Sequence, residues 1–270
     1  MSRLAVRKTY KLYVAGAFVR SESGRYDHAG DFNVPRGSRK DVRDAVKAAR
    51  TSAPPWAART AYNRGQILYR AAEALESRAV DFRVERSEID AAIDVLVHYA
   101  GWTDKLQPVL GGINPVAAPF LSFSLPEPTG VVGVIAPNEF PLLGLVAELA
   151  PALAAGNTTV AVLSECEPLP GLDLAEALGV SDVPGGVVNL LSGRHAELAP
   201  ALAGHRDLGA IVTVGAGPDA RAAVDRLAAE SVTRVRHASP ARSYEGAVAD
   251  ALNRLEAVTE LKTAWHPVGA

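Results

Sequence analysis

Apolar positions recur at two different periods along this chain, and the change falls at Gly130. Upstream the spacing is helical. From Asp41 the positions Val42, Ala45, Val46 and Ala49 share one face, with Asp41 and Asp44 in a first turn where the helix macrodipole favours acids. Pro54-Pro55 predicts the end of that helix. A second helix is predicted over residues 61–82, with Ile67, Leu68, Ala71, Ala72 and Leu75 in one stripe and Arg64, Arg70, Glu73 and Arg78 outside it. A third, over 87–105, carries Ile89, Ile93, Leu96, Val97 and Trp102. Before them, residues 11–20 place Tyr13 and Phe18 on either side of a turn at Ala15-Gly16-Ala17, which reads as a surface β element.

From Gly130 onward the pattern becomes strand–helix–strand. Val131-Val132-Gly133-Val134-Ile135-Ala136 is a short apolar run suited to a strand buried on both faces. Helices are predicted over 142–155, 172–178, 196–203 and 218–229, and strands over 158–163, 187–191, 210–214 and 233–237. Such alternation predicts the α/β class, with a doubly wound, mostly parallel sheet. Residues 111–130, with Gly111-Gly112 and alternation through Phe120, Ser122 and Ser124, read as loop plus extended arm. Residues 239–256 are weakly helical. A last strand over 258–265 puts Leu261, Thr263 and Trp265 on one face and Glu260, Lys262 and Ala264 on the other, and an exposed strand of this kind calls for a partner. The expected division is a dinucleotide-binding-type domain over 1–240, including an arm strand near 118–127, followed by a linker and C-terminal oligomerisation strand over 241–270.

Composition narrows the function classes. The 270 residues, 48% hydrophobic and 21% charged, suffice for a real core. A net charge of −2 gives no electrostatic reason for a nucleic-acid partner. The apolar runs are broken at Glu148 and Pro151 and are too short to span a bilayer, so no membrane is expected. The basic N-terminus has no apolar stretch of secretory length, and a cytoplasmic location is the expectation. One cysteine excludes an internal disulfide. His28, His98, His195, His205, His237 and His266 form no short-spaced pair with Cys or Asp of the kind a zinc site needs, so no metal site is expected.

Three blocks in order carry a resemblance: Glu127-Pro128-Thr129-Gly130-Val131-Val132-Gly133-Val134-Ile135-Ala136-Pro137 with Phe140-Pro141; Ala150-Pro151-Ala152-Leu153-Ala154-Ala155-Gly156-Asn157-Thr158; and Val183-Pro184-Gly185-Gly186-Val187-Val188-Asn189-Leu190-Leu191-Ser192-Gly193. In these the chain resembles the NAD(P)-dependent aldehyde dehydrogenase superfamily, and is closest to its two-module branch. Residues 13–16, 53–56, 64–74 and 259–265 resemble the family's N-terminal region and C-terminal strand. The resemblance implies a Rossmann-like cofactor domain with a small β oligomerisation arm. It also exposes a gap. In active members the strand corresponding to 233–237 leads into a catalytic domain with a nucleophilic cysteine and a general-base glutamate, whereas here about twenty residues, Ala238 to Ala257, separate it from the last strand.

The residue-by-residue comparison is equally selective. Cys166, the only thiol, lies where the family places no nucleophile, and Glu165 and Glu167 beside it oppose thiolate formation. Glu139 stands at the oxyanion-hole asparagine position, where a carboxylate repels an oxyanion; Asn138 is one residue out of place. No catalytic residue is therefore assigned. At the ribose-binding strand end Val162 replaces a lysine, while Glu165 keeps the acidic partner. The phosphate-side turns keep Gly193, Gly215 and Gly217, with Pro218 suited to a first helical position and Ala216 lacking the family hydroxyl. Arg194 offers a further anion ligand or an ordinary exposed charge. NAD or NADP binding is thus expected to be weak or lost.

These residues favour a non-catalytic relative that forms homo-oligomers, or hetero-oligomers with a full-length aldehyde dehydrogenase, as partner or regulatory subunit. Two alternatives stay open on sequence alone: a residual NAD(P)-dependent oxidoreductase that completes a shared site with a partner, and a nucleotide-binding sensor.

Overall fold

A computed structural model describes residue 6 and residues 8–268. Two hairpins open the chain, β1 (Leu12–Val14) with β2 (Ala17–Val19) and β3 (Tyr26–Ala29) with β4 (Phe32–Pro35). Helices α1 (Arg39–Ala57), α2 (Ala61–Ser77) and α3 (Arg86–Ala100) follow, then the short α4 (Leu106–Leu110). β5 (Gly112–Asn114) and β6 (Phe120–Pro128) precede the alternating series β7 (Val131–Ile135), α5 (Leu143–Ala154), β8 (Thr158–Val162), α6 (Leu169–Leu178), β9 (Val188–Leu191), α7 (His195–Ala203), β10 (Ala210–Val214), α8 (Pro218–Ala229) and β11 (Arg234–Ala238). Two short helices, α9 (Tyr244–Val248) and α10 (Ala251–Glu256), lead to β12 (Thr259–Pro267).

The expected doubly wound α/β architecture is present. The main sheet runs β11-β10-β7-β8-β9-β1-β2, parallel from β11 through β9. All five residues of β7, β8 and β10 are buried, because helices cover both faces. One face packs on α2, α3, α5 and α6 through residues such as Leu68, Leu75, Val95, Leu145 and Leu172. The other packs on α1, α7 and α8 through Val42, Val46, Leu198, Leu202 and Val224.

Several local expectations are corrected. The 11–20 hairpin is a surface element only in β2, which is exposed: Leu12 and Tyr13 of β1 are buried, and β1 extends the main sheet antiparallel to β9 through Tyr13 and Leu190. The Ala15 N–H donates to Asn189 Oδ1 at 2.9 Å, fixing the junction. Pro54 and Pro55 do not end α1, which continues to Ala57. They remove two N–H groups but leave their carbonyls: Ala58 N–H donates to Pro54 O at 3.0 Å, and burial of Trp56 holds the last turn on the core. The second and third helices stop earlier than their stripes suggest, at Ser77 and Ala100.

The arm is a three-stranded antiparallel sheet in the order β12-β6-β5. β12 pairs with β6 of the same chain along its whole length, from Thr259 opposite Pro128 to Pro267 opposite Phe120. The partner that the last strand requires is thus supplied within the chain. Leu121, Leu125, Leu261 and Trp265 remain exposed on it. Among the described residues no helix is long and apolar enough to cross a membrane.

Candidate functional site

In the sheet order, β7 lies beside β10, while β8 and β9 continue on its other side. The chain reverses direction across the sheet between β7 and β10, and in open α/β sheets ligands bind in the crevice beyond the strand ends at such a point. A cleft of about 770 Å³ opens there. Its floor is the turn after β7, at Pro137, Asn138 and Glu139, and the turn after β10, at Gly215, Ala216 and Gly217. Its walls are the small aliphatic residues of α7 and α8, including Ala199, Pro200, Ala220 and Ala223. Pro240 and Arg242 also line it.

The turn after β10 is built for close approach. Gly215 has φ +69°, and a Cβ there would lie 3.3 Å from Pro240 Cγ. Gly217 caps α8 in an extended conformation and has open space in front of its Cα. Neither Ala216 N–H nor Gly217 N–H donates to an acceptor among the described residues, and both residues line the cleft at the start of the twelve-residue α8. Thr213 also lines the cleft, and its Oγ1 lies 2.6 Å from His237 Nδ1, while His237 Nε2 lies 2.9 Å from Asp225 Oδ1. A carboxylate only accepts, so His237 Nε2 donates to Asp225, and Thr213 Oγ1 shares a hydrogen bond with Nδ1. The hydroxyl oxygen keeps its acceptor capacity for a ligand.

The residues expected at the site divide into two groups. Gly215 and Gly217 are brought together on the cleft floor. Glu165 and Gly193 lie behind the first turn of α7 instead. The Glu165 carboxylate accepts the His195 backbone N–H at 2.8 Å and an Arg194 guanidinium N–H at 3.4 Å, which places it at the N-terminus of α7. Gly193, at φ +151°, allows close packing: a Cβ there would lie 2.8 Å from Leu198 Cδ1 and 3.1 Å from Gly37 N. Arg194 is shared between Glu165 and Asp27.

Asn138 is committed elsewhere. Its Oδ1 accepts from Ser164 Oγ at 3.0 Å and from the N–H groups of Glu165 and Cys166 at 3.0 and 3.2 Å, clamping the turn after β8. Cys166 is exposed on that turn and does not line the cleft. Glu139 forms a 2.9 Å ion pair with Arg242. Arg242, Pro240 and the Thr213–His237–Asp225 chain had no signature in the sequence. The register of β10 against β11, which sets Thr213 opposite His237, and the fold-back of residues 239–243 create them.

Comparison with known proteins now bears on this geometry. The profile of the aldehyde dehydrogenase family matches residues 27–261. The chain belongs to the aldehyde dehydrogenase family. It is 33% identical over 198 residues to the mitochondrial aldehyde dehydrogenase of Rattus norvegicus, covering 67% of this chain and 38% of that protein. Against human aldehyde dehydrogenase 1A1 it is 32% identical over 198 residues, covering 67% and 39%. The NAD+ complex of an aldehyde dehydrogenase from Bacillus cereus superimposes with a TM-score of 0.79 at 28% identity, covering 86% of this chain and 51% of that one. The betaine aldehyde dehydrogenase of Staphylococcus aureus in complex with NAD+ superimposes with a TM-score of 0.78 at 26% identity, covering 84% and 49%. The chain thus spans about two-fifths of the curated relatives' length.

Those two solved relatives hold NAD+, and the cleft residues fit such a molecule only in part. An apolar slot and two free backbone donors suit a base and a phosphate. Fully buried Val162 stands at the strand end expected to hold a ribose-binding lysine, and Glu165 is engaged by α7.

Proposed function

We propose that this chain is a non-catalytic, cytoplasmic aldehyde dehydrogenase family member that acts as a partner or regulatory subunit of a full-length aldehyde dehydrogenase. The observation that carries this reading is what stands between β11 and β12. After Ala238 the chain supplies a short loop and the helices α9 and α10, then enters β12 at Thr259. Only Pro240 and Arg242 of that segment line the cleft, and neither is a thiol nucleophile or a general base. With Cys166 outside the cleft and a carboxylate at 139, no thiol among the described residues is placed to form a thiohemiacetal there, and the side chain at 139 opposes an oxyanion. Loss of the lysine at 162 removes a charge-assisted hydrogen bond worth about 1.5–3 kcal/mol, which supports weak dinucleotide binding.

The assembly half of the reading rests on the arm. Leu121 and Leu125 of β6 and Leu261 and Trp265 of β12 are exposed on a thin sheet with a free outer edge. Apolar side chains beside an unpaired strand edge are a surface for another protein chain. The test is co-expression with a full-length family member from the same genome, followed by co-purification and light scattering. A stable complex is expected, and the exposed double substitution Leu121→Lys/Leu125→Lys should dissolve it without unfolding the chain. A chain that remains alone with every such relative, or that by itself forms NADH from an aldehyde in a Cys166-dependent way, would overturn the proposal.

A further inference from the structure

A second pocket, of about 480 Å³, is built by the end of β11, the loop after it, α9 and α10, and shares only Pro240 and Arg242 with the cleft. We propose that this pocket binds a small carboxylate, held side-on by the guanidinium of Arg254. The inference concerns the segment between β11 and β12 alone and does not depend on the partner-subunit reading.

Arg254 keeps 5% of its side-chain surface exposed, and a guanidinium so deeply buried needs an acceptor for each N–H. Only one of its three nitrogens has acceptors. Nη1 donates to Ala147 O at 3.2 Å and to Glu148 Oε1, whereas Nε is sealed from solvent with no partner. Nη2 donates to no acceptor among the described residues either, and unlike Nε it is not sealed. Nε and Nη2 form one edge of the planar group, where two parallel N–H bonds meet the two oxygens of a single carboxylate. This unfilled edge belongs to a residue that lines the pocket.

Charge selects among the oxyanions that could fill it. Arg254 and Arg236 are already balanced by Glu148 and Asp250, and Arg242 by Glu139. A carboxylate adds one negative charge to this neutral set and supplies both missing acceptors. Phosphate, close to a dianion at neutral pH, meets more repulsion from Glu148 and Asp250. The rest of the lining suits a short apolar tail, since Ala238, Pro240, Ala241 and Gly246 present little but carbon.

Titration calorimetry of the full chain with butyrate, butyramide and inorganic phosphate tests this. Butyrate is expected to bind at one site, more tightly than phosphate and at least about tenfold more tightly than butyramide, which has one acceptor and no charge. Arg254→Lys keeps a cation beside Glu148 but has no planar fork, and should weaken butyrate by about tenfold or more. Gly246→Leu should block butyrate by filling the pocket. It should also leave the fold intact, because a Cβ at 246 meets nothing nearer than Ser243 Oγ at 3.6 Å, so this variant decides even if Arg254→Lys does not fold. In heteronuclear NMR spectra of the parent, the Nε–H resonance of Arg254 should move as butyrate is added. No saturable butyrate binding, butyramide or phosphate binding as tight as butyrate, butyrate binding unchanged by either substitution, or an Nε–H resonance that stays in place would each overturn the proposal.

Discussion

Arg254 of α10 donates to the carboxylate of Glu148 of α5 in the interior, where the two side chains keep 5% and 3% of their surface exposed. Arg236 of β11 donates to the other carboxylate oxygen at 2.8 Å and reaches Asp250 at 3.4 Å. The α10 helix is thus fastened to the scaffold by a buried carboxylate between two guanidinium groups.

Removing one partner of such a group is costly because the other stays buried with fewer partners. Arg254→Met should destabilise the chain by about 3 kcal/mol, while the double variant Arg254→Met/Glu148→Leu should recover much of that loss. Urea unfolding of the two variants measures it. Equal destabilisation by both would mean that packing, and not the charge, is what Arg254 contributes.

Asn157 joins three elements at one point. Its Oδ1 accepts from Gly130 N–H at 2.9 Å, and its Nδ2 donates to Ala152 O at 3.2 Å and Val258 O at 2.9 Å, the latter two in the interior. Asn157→Ala leaves these groups without their side-chain partner and should cost about 3 kcal/mol. Amide exchange should speed up first in β12, which loses its anchor at Val258. A uniform loss across the sheet would contradict this local role.

His98 should set an acid limb on stability. Trp102 Nε1 donates to His98 Nε2 at 2.9 Å, so the folded state needs the neutral imidazole, and burial holds its pKa below the ordinary histidine value. Between the ordinary value of about 6.5 and the lower folded value, the unfolded chain binds the extra proton, so stability falls as pH drops through that window and is regained above it. His98→Gln keeps an acceptor that does not titrate. The difference in urea midpoint between pH 7.5 and 5.5, about one unit on either side of the ordinary value, should be smaller in the variant. An unchanged difference would assign the acid limb to other groups.

Restoring one residue should not restore chemistry. Glu139→Asn returns an amide to the oxyanion-hole position, yet Cys166 stays on the turn after β8, outside the cleft. No aldehyde-dependent NADH formation is expected from the parent, from Glu139→Asn, or from Glu139→Asn/Cys166→Ala. Activity in Glu139→Asn that disappears with Cys166→Ala would show that the thiol reaches the cleft in solution.

What the sequence determined by itself is the local and repetitive part of this protein. Apolar runs such as 131–136 and stripes such as Ile67, Leu68, Ala71, Ala72 and Leu75 specify strand and helix because each element buries its own face, and the alternation of elements fixed a doubly wound sheet. The three family blocks could be read because they are contiguous. Tertiary structure decided everything that depends on residues far apart in the chain. It carried α1 through Pro54-Pro55 because Trp56 is buried there, drew β1 into the main sheet, and paired β12 with β6. It brought Glu165 to the N-terminus of α7, where an acidic side chain accepts a free backbone N–H. It also set Arg242 opposite Glu139 across the cleft. Spacing along the chain carries no record of that pair, because a contact over 103 residues is fixed only when the whole core closes.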